Sequence, residues 1–156
     1  MRRVSGAAVV VFSVLLVGAN TGAMRPAYAA PAYCPNPAHA RPAKVPLALV
    51  PAVAAAFNID KDAAPNTAFV RCVGAKLVSC YVGANLVCDK ANTRRALPGA
   101  TAWCRQNPDA PNIPMAATGH DTVYEWSCKG SRAVAGKQAM KVDQRGYIAD
   151  NWKEIQ

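Results

Sequence analysis

The chain predicts an α+β domain: a small, mostly antiparallel sheet with one or two short helices, stapled by disulfides. Three observations carry this. Short β-branched and aromatic runs separated by turn residues recur from residue 69 onward. Helical spacing is confined to two brief stretches, and all six cysteines lie beyond residue 30. Runs of strands with few helices between them form antiparallel sheets rather than wound parallel ones.

Residues 1–30 read as a signal peptide. Arg2 and Arg3 supply the positive start, residues 7–19 are apolar and uncharged, and Ala27-Tyr28-Ala29 offers small residues at a cleavage site. The apolar run is shorter than the ~20 residues that span a bilayer as a helix. Export with cleavage, and no stable membrane insertion afterwards, is therefore expected. Tyr33 before Cys34 is too bulky for a lipidation site. Removing residues 1–30 leaves 126 residues, one domain's worth, with 15 basic and 9 acidic side chains.

Residues 31–46 hold five prolines and many alanines. Proline forbids a regular helix interior, so an extended arm is expected, with Cys34 placed to tether it. The single domain then runs over 47–156. Leu49, Val50, Val53, Ala54 and Phe57 recur at steps of three and four, predicting a helix over 47–57 with Pro51 in its first turn and Asn58 as its stop. Residues 69–82 read as a β-hairpin turning at Gly74-Ala75-Lys76, and 82–88 as a further strand. Residues 89–97 are a polar, basic loop. Pro98 starts a second short helix through Cys104, ended at Asn107-Pro108. After the proline-rich crossing at 107–114, residues 122–128 alternate: Thr122, Tyr124, Trp126 and Cys128 share one face. A weaker strand follows over 133–142. Asp143-Gln144-Arg145-Gly146 has the glycine that a hairpin turn requires, and 147–152 closes the sheet.

The cysteines are Cys34, Cys72, Cys80, Cys88, Cys104 and Cys128. An even number in an exported chain implies up to three disulfides, with about 15 possible pairings. Cys72 and Cys80 lie symmetrically about Lys76, so they either face each other across the hairpin or staple separate elements. Cys88 with Cys104, strand end to helix, is the expected pair. Zinc and dithiol catalysis both want closer cysteine pairs than any here, so no metal is expected. Neither a Gly-rich phosphate loop nor informatively spaced carboxylates occur, and no cofactor is implied.

The positive excess is spread along the chain and reads as a solubilising surface. No nucleic-acid module accompanies it, so nucleic acid is not an expected partner. Its densest point is the loop 90–95, where Arg94 and Arg95 are adjacent. His120 with Asp121 and Glu125 is the one cluster that invites catalysis, since a histidine near a carboxylate can act as general base. Neighbours on a strand point to opposite faces, however, and His120 follows Gly119, which marks a turn. No catalytic residue is assigned. The expected contact surface is instead Thr118, Gly119, His120 and Asp121, the loop carrying Arg94 and Arg95, and Trp152, which sits near the end of the chain and is expected to be partly exposed.

From Phe69 onward the chain resembles a group of small exported bacterial proteins without assigned activity. The resemblance rests on VGANLVCDKANT at 82–93, WCRQNP at 103–108, TGHDTVYEWSCKG at 118–130 and VDQRGYIADNW at 142–152. It implies export and one compact unit. The chain is also similar to the periplasmic inhibitors of c-type lysozyme: Thr118-Gly119 precedes Tyr124, and Trp126 precedes Lys129-Gly130. Threonine replaces the serine of that pattern, the spacing to tyrosine is longer, and a basic domain is poorly matched to a cationic lysozyme. The function expected from these readings is a periplasmic or secreted binding module, without catalysis, that contacts an envelope protein or glycan. A lysozyme-inhibitor-like protein, a small hydrolase using His120 and a structural envelope component are the alternatives.

Overall fold

Two-residue connections, tight caps and cross-links place short elements close together in this chain. The computed structural model describes residues 33–83 and 86–155, and the expected signal peptide lies outside them. A 3-10 turn at Pro37–Ala40 leads to strand β1 (Ala43–Lys44). A second one at Leu47–Leu49 runs into helix α1 (Val50–Phe57), then α2 (Ala64–Thr67), β2 (Ala68–Val73) and β3 (Lys76–Tyr81). Helices α3 (Pro98–Gln106) and α4 (Met115–Thr118) precede the hairpin β4 (Tyr124–Lys129) and β5 (Arg132–Gln138), and β6 (Lys153–Glu154) ends the described chain.

The expected α+β class holds. The strands divide between two antiparallel sheets: one of four strands in the order β1-β2-β3-β6, and the β4-β5 pair. Pro51 lies in the first turn of α1, and Asn58 ends it in the left-handed conformation at φ 51°, a state asparagine tolerates better than branched residues. Asn107 caps α3 as anticipated.

The β2-β3 register decides the disulfides. Val73 faces Lys76, so Cys72 lies opposite Leu77 while Cys80 lies opposite Phe69. Directly opposed residues share a face and alternate residues change it. The two-residue turn therefore puts Cys72 and Cys80 on opposite faces of the sheet, and the symmetric cross-hairpin bridge is ruled out. Cys72 bonds Cys34 from the arm, Cys80 bonds Cys88, and Cys104 bonds Cys128, with Cα separations of 5.5, 5.8 and 5.5 Å. The expected Cys88–Cys104 pair is corrected, because residue 88 is drawn back to β3. Among the described residues of 82–88 there is no strand; the disulfide to Cys80 holds Cys88 against β3.

Both faces of the larger sheet are covered. One packs Val70, Cys72 and Leu77 against Leu49 and Val53 of the α1 layer. The other packs Val78 and Cys80 against Cys88, Tyr147 and Trp152. A sheet buried on both sides reads as a nearly continuous apolar run, as β3 does. The smaller sheet lays Trp126 and Cys128 on Ala100 and Cys104 of α3, with Leu97 and Ile113 closing the cluster.

Residues 147–152, expected as the closing strand, make only isolated bridges at Tyr147 and Ile148 before a 3-10 turn at Ala149–Asn151. The closing strand is the two-residue β6, beside β3.

Candidate functional site

Residues 90–92 strap the two sheets together. Lys90 bridges Tyr147, and the Ala91 N–H donates to the Gly146 carbonyl at 2.8 Å. Asn92 pairs in parallel with Thr122: its N–H donates to the Asp121 carbonyl at 2.8 Å, and its own carbonyl accepts from Val123 at 3.3 Å. The basic loop 90–95 and the Thr118–Asp121 loop, about 30 residues apart in the chain, thus form one continuous ridge.

Along this ridge the expected contact residues have different roles. Thr118 is buried as the last residue of α4, and Gly119 ends that helix at φ 89°. A Cβ on Gly119 would lie 2.6 Å from Asp121 Oδ1, which the carboxylate would have to swing away to relieve, and the positive φ itself favours glycine there. His120 and Asp121 are half-buried, and His120 Nδ1 is enclosed without a hydrogen-bond partner. No hydrogen bond or ion pair joins His120 to a carboxylate among the described residues, and Glu125 is held instead by Lys137 at 3.1 Å. Arg94 is exposed. Arg95, also exposed, lays its guanidinium 4.3 Å from the centre of the Tyr124 ring.

Trp152 is not part of this surface. It is 8 % exposed, a correction to its expected exposure near the chain end. Strand β6 follows it and pairs with β3, which carries the indole beneath the sheet rather than into solvent.

Trp152 lies in a stack that the sequence does not announce. Arg71, on β2, is 1 % exposed. Its guanidinium lies 4.3 Å from the Trp152 ring centre and 4.4 Å from that of Tyr147, and Lys90 Nζ sits 4.2 Å from the Tyr147 centre. Cations over aromatic faces gain from the ring quadrupole, more so when dry. Arg71 Nη2 is paired with Asp143 at 2.6 Å. The other oxygen of Asp143 accepts the N–H groups of Arg145 at 2.9 Å and Tyr147 at 3.0 Å. Burial by itself would raise the Asp143 pKa; the Tyr147 N–H, the Arg71 guanidinium and the Arg145 N–H outweigh it, and the carboxyl is held below its usual range. One carboxylate therefore neutralises the buried cation and fixes the turn that carries Arg145.

Where this turn meets the arm, Ala40, Arg41, Lys90, Arg145 and Tyr147 line an open cleft of about 510 Å³. Lys90 Nζ donates to the Arg145 carbonyl, which pins the ammonium at its rim. The three cations come from positions 41, 90 and 145, so no local motif reveals them. The arginine within the otherwise apolar β2 run was the one legible clue, since a charge on an inward strand position needs a buried partner.

All six cysteines are in disulfides, which leaves no thiolate for nucleophilic or redox work and suits an oxidising compartment. Comparison with protein-family models, with curated proteins and with solved structures finds no match for this chain.

Proposed function

We propose that this chain is an exported, disulfide-stabilised binding module of the bacterial envelope, acting by contact rather than catalysis. The observation that supports this best is the union of the loop 90–95 with the Thr118–Asp121 loop. The bridge from Asn92 to Thr122 sets both loops on one ridge, with Arg94 and Arg95 exposed along it. Binding residues concentrate on loops held by a rigid scaffold, and the three disulfides provide that rigidity. The leader-like residues 1–30 and the cysteine usage together support a periplasmic or secreted location.

The test is capture from an envelope extract by the oxidised protein, with the Arg94→Ala/His120→Ala double variant in parallel. A saturable partner retained by the parent and lost by the variant is the expected result. Equal capture by both overturns the proposed contact face.

A further inference from the structure

We infer that the cleft between Arg41, Lys90 and Arg145 binds the phosphate group of a phosphorylated sugar, as a phosphate-bearing unit of an envelope glycan would present it. This rests on the binding-module reading and adds the chemical class of its ligand.

The sign of the cleft is uniform. Arg41, Lys90 and Arg145 line it and no acidic residue does. None of the ion pairs among the described residues involves any of the three. A hollow of similar size beside the end of α1 differs in this respect, mixing Lys61 with Asp60 and Asp62. Asp143, the carboxylate built into the cleft's own turn, is turned away chemically: its oxygens accept from Arg71, Arg145 and Tyr147. The cations therefore face a ligand without a competing anion.

Number and shape select phosphate. A carboxylate offers two oxygens in one plane, which a single guanidinium fork satisfies. A phosphate monoester spreads nearly two negative charges over three oxygens in a tetrahedron, matching two guanidinium groups and an ammonium. Lys90 spends one N–H on the Arg145 carbonyl, and an ammonium has others to offer. Volume argues for more than the ion alone. A cleft of about 510 Å³ lies within the range of small-molecule sites and far exceeds inorganic phosphate, leaving room for a sugar ring. The site is also pre-arranged, because Asp143 fixes the Arg145 turn and the Tyr147 ring seats Lys90. Holding donors in place before binding removes an ordering cost. Finally, Lys90 is the first residue of the ridge, so a sugar phosphate seated here continues onto the proposed contact face.

Isothermal titration calorimetry on the exported, fully oxidised protein tests this with four probes at low ionic strength: glucose 6-phosphate, inorganic phosphate, glucuronate and phosphatidylglycerol vesicles. Glucose 6-phosphate is expected to bind most tightly, and Arg41→Gln and Arg145→Gln each to weaken it about tenfold, the scale of one charge-assisted hydrogen bond. Both residues are exposed, so circular dichroism should show both variants folded. Glucuronate binding as tightly overturns the choice of phosphate, and inorganic phosphate binding as tightly overturns the sugar. Preferential retention on vesicles overturns the glycan source. Unchanged affinity in both variants overturns the cleft. If glucose 6-phosphate binds and is hydrolysed, the cleft stands and the non-catalytic reading falls. If envelope capture depends on Arg94 and His120 but no sugar phosphate binds, the module reading stands and this inference falls.

Discussion

Behind the four-stranded sheet the central side chain is a cation. Arg71 is almost wholly enclosed, with Nε and Nη1 lacking hydrogen-bond partners, and beside it the Trp152 Nε1 is unpaired too. Under the β4-β5 hairpin the central side chain is Trp126, and its one polar atom donates to the Thr122 hydroxyl at 2.8 Å. Both regions enclose a tryptophan and a disulfide. The hairpin region is an apolar cluster whose tryptophan N–H is satisfied. The sheet region holds a buried charge that one carboxylate must balance, and that carboxylate also shapes the basic cleft. Polar groups left partly unsatisfied weaken a core; here they sit beside the candidate site, while the hairpin region is built for packing.

The largest expected effect concerns the cross-links. Their sequence separations are 38, 24 and 8 residues. Loop-closure entropy then ranks the losses on replacing each pair by alanine at about 4 kcal/mol for Cys34/Cys72, about 3.5 for Cys104/Cys128 and about 2.6 for Cys80/Cys88. Denaturant midpoints of the three double variants check the order. A reversed order would mean that residual structure in the unfolded chain, rather than loop length, controls stability.

Asp143→Ala should cost about 3 kcal/mol, since it strands the Arg71 charge in the interior. The Arg71→Met/Asp143→Ala double variant should recover much of that loss, because an apolar side chain of similar length needs no counter-charge. Equal losses in the single and double variants would show that the carboxylate acts through the turn alone.

The same carboxylate gives the sheet region a pH dependence. Its folded-state pKa is lowered, so the stabilisation is fully present above the unfolded-state value of about 3.9 and is lost as pH falls through the lowered one. Acid titration of stability should show a downward slope below about pH 4 that is shallower in Asp143→Asn. An identical slope in the variant would assign acid lability to other carboxylates.

The smallest effect sharpens the contrast from the hairpin side. Thr122→Val leaves the Trp126 Nε1 buried without an acceptor and should cost about 1–2 kcal/mol, with no change in the pH profile. Equilibrium unfolding at two pH values separates this from the Asp143 effect.

Short-range patterns were legible wherever one residue type forces one local geometry. Pro51 and Asn58 bracket α1, alternation from Tyr124 to Cys128 marks β4, and Asp143 to Gly146 forms its turn with Gly146 at φ 84°. The turn at Gly119 and the loop 90–95 were readable, and Cys34 as a tether, because composition disfavours regular structure there, whereas the short helix α4 ahead of Gly119 was not. The sequence by itself therefore determined the class, the places of α1, α3 and the β2-β3 and β4-β5 hairpins, and the presence of a cross-linked framework. Only the tertiary structure decided the cysteine partners, since a one-residue difference in hairpin register moves Cys80 to the other face from Cys72. It alone brought Arg41, Lys90 and Arg145 into one cleft, and it buried Trp152 by pairing the following strand with β3. These outcomes depend on contacts between residues tens of positions apart, and the free energy of such contacts is absent from any local window of the chain.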